Sequence, residues 1–189
     1  MADKTPMTRY VALLRGINVG RNKRIAMSDL RALLAGLGYE DVASYLASGN
    51  VLFTTSSARP AGLLAADIEE QITAELQMVV RVILRTGGEL AGVVARNPLA
   101  AEPENPSRFF VGFLSARHSS SVVRAVESEL RTSAPEGDAI WLTRTEAFFW
   151  CPGGFSLLDH ATLIEKRLGV AVTTRTWNTV RKLVQMSAS

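Results

Sequence analysis

Asn97-Pro98-Leu99-Ala100-Ala101-Glu102-Pro103-Glu104-Asn105-Pro106-Ser107 holds three of the chain's seven prolines and two carboxylates, with no apolar period. A stretch of that composition reads as an extended linker. Its reading decides the fold, because the same order of elements can be traced on either side of it. The expected division is residues 1–96 as a first half, 97–107 as the linker and 108–189 as a second half.

Upstream, Tyr10-Val11-Ala12-Leu13-Leu14 is a short apolar run that stops at Gly16, which suits a strand buried on both faces. Leu30, Leu33, Leu34 and Leu37 then form one helix stripe, with Ser28 as the expected N-cap and Gly38 as the stop. Val42 to Ala47 and Val51 to Thr54 read as strands around a Ser48-Gly49-Asn50 hairpin loop. Pro60 suits the start of a helix carrying Leu64, Ile68, Ile72 and Leu76. Val79 to Leu84 reads as a fourth strand and Glu89 to Ala95 as a closing helix.

Downstream the order returns. Phe109 to Leu114 reads as a strand, and Val122, Val123, Val126 and Leu130 mark a helix. Ala139 to Leu142 and Ala147 to Cys151 make a hairpin. Leu157, Ala161, Ile164 and Leu168 mark a helix ended by Gly169. Val170 to Thr174 and the Val180, Leu183, Val184 stripe complete the set. The expected fold class is α+β, with two tandem ferredoxin-like β-α-β-β-α-β units, each carrying an extra C-terminal helix. Several strands are apolar on both sides, so each sheet needs cover on its second face. Two sheets packed together, a partner subunit or a ligand cleft are the candidates.

The 189 residues carry a formal charge of +3, with 11 basic against 9 acidic residues up to position 96 and 10 against 9 beyond it. Neither half is a polycation, so a dedicated nucleic-acid binder is disfavoured. Cys151 is the only cysteine, which leaves no internal disulfide. No apolar stretch is long enough for a signal peptide or a membrane span, and the expected location is cytoplasmic.

Three segments carry a resemblance. Tyr10-Val11-Ala12-Leu13-Leu14-Arg15-Gly16-Ile17-Asn18-Val19-Gly20 is similar to the opening signature of a bacterial family, domain of unknown function 1697. Ser48-Gly49-Asn50-Val51 resembles its second motif, and Thr173-Thr174-Arg175-Thr176-Trp177-Asn178-Thr179-Val180-Arg181-Lys182-Leu183 resembles its third. The resemblance spans residues 8 to 186 and implies no activity or substrate class. The chain departs from the family pattern at Arg21, where a glycine is usual, at Thr176, where asparagine is usual, and at Ser156-Leu157-Leu158, where relatives tend to carry Ser-Lys-Leu.

The candidate binding residues lie in those segments. Arg15, Gly16, Asn18, Gly20 and Lys23 form a glycine-punctuated basic loop whose amides and cations suit a phosphate or carboxylate. Its spacing is neither a Walker loop nor a dinucleotide fingerprint, and no cofactor is expected. Ser48 and Asn50 can add donors. Arg175, Trp177 and Asn178 stand at the start of the last helix, where Thr176 or Asn178 can cap and Trp177 can stack on a base or sugar. The sequence offers no triad, metal cluster or paired carboxylates. Asp159-His160 stands as an acid–base pair or an exposed helix turn, and Cys151 as a buried small hydrophobe. The leading reading is a binding protein for a phosphorylated or nucleotide-like small molecule, or for nucleic acid. The alternatives are an enzyme acting on a small anionic substrate and a homo-oligomeric interaction protein.

Overall fold

The computed structural model describes residues 6–19, 24–99, 103–153 and 156–188. Gly20 and Lys23, two of the expected ligand residues, lie outside them, as does the departure at Arg21. The described residues form a mixed α+β structure of two four-stranded antiparallel sheets and six α-helices. The chain separates into two compact units, residues 1–91 with 183–189, and residues 92–182.

The first unit contains β1 (Thr8–Leu14), α1 (Met27–Gly36), β2 (Glu40–Ser44), β3 (Asn50–Thr55), α2 (Ala61–Leu76) and β4 (Val82–Thr86). Its sheet runs β2-β3-β1-β4, all antiparallel. Alternation in β1 sorts the side chains: Tyr10, Ala12 and Leu14 join Leu30, Leu33 and Leu34 of α1 and Leu64, Ile68 and Ile72 of α2 in one core. Val11 and Leu13, on the other face, are equally closed to solvent. The next helix, α3 (Gly87–Ala95), begins in this unit and crosses the division at Ala91.

The second unit contains β5 (Phe109–Leu114), α4 (Ser120–Ser133), β6 (Ala139–Leu142), β7 (Glu146–Trp150), α5 (Leu157–Leu168) and β8 (Val172–Thr176). Its sheet order is β6-β7-β5-β8, again antiparallel. Leu114, Phe149 and Val172 meet Val123, Val126 and Leu130 of α4 and Ile164 of α5 in its core. On the opposite face Phe109 stacks with Phe148 at 6.2 Å and tilts onto Trp177 at 5.1 Å. The last helix, α6 (Trp177–Ser187), runs from this unit into residues grouped with the first.

Several boundaries differ from expectation, for local reasons. Helix α1 starts at Met27 behind Ala26, and Ser28 does not cap it, its hydroxyl turning instead to Asp29 Oδ1. The β2–β3 loop spans residues 45–49 rather than three residues, because Asn50 is already paired opposite Leu13 in the sheet. Strand β4 begins at Val82, three residues late, since Val79 stands 79% exposed. Among the described residues no helix is long and apolar enough to cross a membrane.

Candidate functional site

The first two motif segments meet at one end of the first sheet. As β1 ends, Leu14 N–H donates to Gly49 O at 2.8 Å and Arg15 N–H to Arg81 O at 2.9 Å. Asn18 sits in the left-handed region at φ 55°. Its Oδ1 accepts from Ile25 N–H at 2.8 Å, while its Nδ2 donates to Ile25 O at 3.0 Å and Ala47 O at 2.7 Å. One side chain therefore ties the loop after β1 to the approach to α1 and to the β2–β3 loop. Asn50 is fully buried, with Nδ2 donating to Tyr45 O at 2.8 Å and to Ser48 Oγ at 3.2 Å.

Both asparagines were expected to offer donors to a ligand, yet each spends its side-chain donors on the protein's own loops. Arg15, Gly16 and Ser48 remain at the surface, joined there by Arg24 and by the apolar Val19 and Leu46. Ile17, buried between them in sequence, anchors the loop to the core.

The third segment belongs to the second unit. Arg175 is 7% exposed, and its Nη1 donates to Thr173 Oγ1 and Thr174 O, each at 2.8 Å. Burial pulls its guanidinium down to about 10, which leaves it cationic at neutral pH. Trp177, expected to be able to stack on a base or sugar, is 1% exposed, and its indole packs against Phe109. Thr176 rather than Asn178 serves α6, its Oγ1 accepting from Thr179 N–H at 3.4 Å and lying 3.0 Å from Thr179 Oγ1. Asn178 is exposed.

The sequence reading missed a third arrangement. His160 does not pair with its neighbour Asp159, which is exposed; its Nε2 lies 2.9 Å from Asp138 Oδ2. Both side chains are 5% exposed. Asp138 Oδ2 also accepts from Ser156 Oγ. Cys151, fully buried, completes a group in which one ligand atom from each of Asp138, Cys151 and His160 lies within 4.8 Å of the others. Burial pushes the Cys151 thiol up to about 11, a bonded Ser156 hydroxyl opposes that, and the Asp138 carboxylate adds to it. The spacings of 13 and 9 residues match no ligand motif. Only the β6–β7 hairpin and the first turn of α5 bring these groups together.

The family described as protein of unknown function (DUF1697) matches residues 7–148. No curated protein matches the chain. Among solved structures, a conserved bacterial protein from Streptococcus pneumoniae superposes with a TM-score of 0.69 at 25% identity, covering 96% of this chain and 99% of that one. An unknown protein from Galdieria sulphuraria aligns at 15% identity with a TM-score of 0.28, over 90% and 99% of the two chains.

Proposed function

The chain belongs to the DUF1697 family of proteins of unknown function, and from that premise we propose that its first unit binds the phosphate of a small phosphorylated or nucleotide-like ligand. The reading rests on the way Asn18 locks three loop segments together, leaving Arg15 and Gly16 exposed on a braced rather than a floppy turn. A site fixed before the ligand arrives avoids much of the ordering cost of binding. Arg15 supplies a guanidinium suited to phosphate, and Lys23 and Arg24 follow it in the sequence. Exposed ionic contacts contribute at most about 1 kcal/mol each, so phosphate alone is held weakly. The exposed Val19 and Leu46 offer apolar contact to the remainder of a nucleotide-like molecule.

The same reading extends to the architecture. The strand orders β2-β3-β1-β4 and β6-β7-β5-β8 agree with two ferredoxin-like units in tandem. Equivalent bonds recur in support of a repeat: Leu14 N–H to Gly49 O and Leu114 N–H to Thr145 O, Arg15 N–H to Arg81 O and Ser115 N–H to Ala171 O. In each unit a helix glutamate accepts from the first strand residue that follows, Glu69 from Val82 N–H and Glu165 from Val172 N–H, both at 2.7 Å.

Calorimetric titration of the full chain with ADP, adenosine and inorganic phosphate tests the binding reading. ADP should bind more tightly than either part alone, weaken as salt rises, and lose about fivefold in affinity in Arg15→Ala, the ~1 kcal/mol of an exposed charge-assisted contact. Unchanged ADP affinity in folded Arg15→Ala, or no binding by any of the three, rejects it.

A further inference from the structure

We infer that Asp138, Cys151 and His160 of the second unit form a binding site for one divalent transition-metal ion of the zinc class, a site separate from the anion site proposed above. The three ligand atoms already lie within 4.8 Å of one another. Tetrahedral zinc with bonds of about 2.0–2.3 Å needs its ligand atoms roughly 3.2–3.8 Å apart. Forming the site therefore asks for at most about an ångström of contraction at the widest pair and a slight opening of the Asp138 Oδ2–His160 Nε2 pair from 2.9 Å, adjustments on the scale of small side-chain rotations.

Each donor is held from a different element. Asp138 lies in the turn before β6, where its N–H donates to Pro135 O at 3.1 Å. Cys151 directly follows β7, with its N–H on Arg108 O at 3.0 Å. His160 sits in the first turns of α5, its ring parallel to Phe149 within 4° at 6.2 Å, so the imidazole plane is set by packing. Ser156 Oγ, donating to Asp138 Oδ2, orients the carboxylate in the manner of an outer-shell partner.

The donor chemistry selects the ion. A thiolate, an imidazole and a carboxylate suit zinc and its neighbours, whereas calcium and magnesium require oxygen donors. Metal entry sends the Cys151 thiol proton to solvent, and the proton of the Asp138–His160 hydrogen bond moves to His160 Nδ1 as the tautomer changes or leaves to solvent, so that Oδ2 and Nε2 can each bind the metal. Three protein donors leave a fourth position for water, unlike the closed four-ligand structural sites. A cavity of about 280 Å³ is lined by Asp138 with Arg131, Ala134, Ala139, Ile140 and Trp141.

The test titrates the full chain, stripped by chelator, with Co²⁺ and then Zn²⁺. A thiolate-to-cobalt charge-transfer band should grow to saturation at one cobalt per chain and bleach with one equivalent of zinc. Because Cys151 is the only thiol, that band reports this site even if the Cys151→Ser variant fails to fold. Asp138→Asn and His160→Gln should each weaken zinc binding at least about tenfold, and His118→Gln should leave it unchanged. The proposal is overturned by folded wild-type protein that gives no band, by unchanged zinc affinity in either Asp138→Asn or His160→Gln, or by loss of binding in His118→Gln. None of these outcomes touches Arg15, so the anion reading stands or falls on its own titration.

Discussion

At Gly49 the backbone takes φ +87°, and a Cβ built there would lie 2.8 Å from Leu14 Cβ and 2.9 Å from Ile17 Cγ1. Gly16 shares the left-handed backbone, φ +67°, but a Cβ there meets nothing within 4 Å. The pair separates two costs that a glycine can hide. Gly16→Ala should lose only the left-handed penalty of about 1–2 kcal/mol. Gly49→Ala adds a clash with core atoms that cannot swing away, for a total of about 2–4 kcal/mol. Urea midpoints of the two variants check this, and equal losses would remove the assigned clash. Residue type alone pointed to Asn18 in one loop, and to Ser48 and Asn50 in another, as donors for a ligand. What it could not convey is direction: a buried asparagine aimed at Tyr45 O and a surface asparagine aimed at a phosphate look identical in sequence. Arg175 misleads similarly, because Thr173-Thr174-Arg175-Thr176 reads as a polar stretch while alternation turns Arg175 onto a closed face.

Helix α3 is set by a reciprocal cap. Thr86 Oγ1 accepts from Glu89 N–H at 3.2 Å, and Glu89 Oε2 accepts from Thr86 N–H at 2.7 Å and Thr86 Oγ1 at 3.0 Å. That is the Thr-x-x-Glu capping box, and it starts the helix at Gly87 rather than Glu89. The signal was present in the sequence and outweighs the helix-breaking tendency of Gly87-Gly88, which made the later start look natural. Glu89→Ala should cost about 1 kcal/mol, roughly 2–4 °C in melting temperature for a chain of this size. Glu89→Gln, which keeps an acceptor, should recover most of it; equal losses in the two variants would show that the cap is not the cause. Elements with strong periodicity, such as the stripes of α1, α2 and α5, were legible because burial repeats with the helix. Strand limits were less so, since Val79-Val80-Arg81 is apolar enough to read as strand while Val79 faces solvent.

The two compact units divide within α3, at Ala91, and within α6, at Lys182. The α+β element types were readable in the chain because helix stripes and strand runs carry different hydrophobic periods, whereas the assembly of Asp138, Cys151 and His160 was not, since it depends on a hairpin and a helix turn closing over 22 residues. This division has a consequence for the two proposed sites. Arg15, Gly16 and Ser48 all come from residues 1–91, and the three metal donors all come from residues 92–182. Changes at sites without shared partners usually add within about 0.3–0.5 kcal/mol. Arg15→Ala should therefore leave zinc affinity within about twofold of wild type, and Cys151→Ser should do the same for ADP affinity. The double variant should show both losses and no more. A shift of fivefold or greater in either cross-measurement corresponds to a coupling of about 1 kcal/mol. Such a result would reject the independence of the two sites.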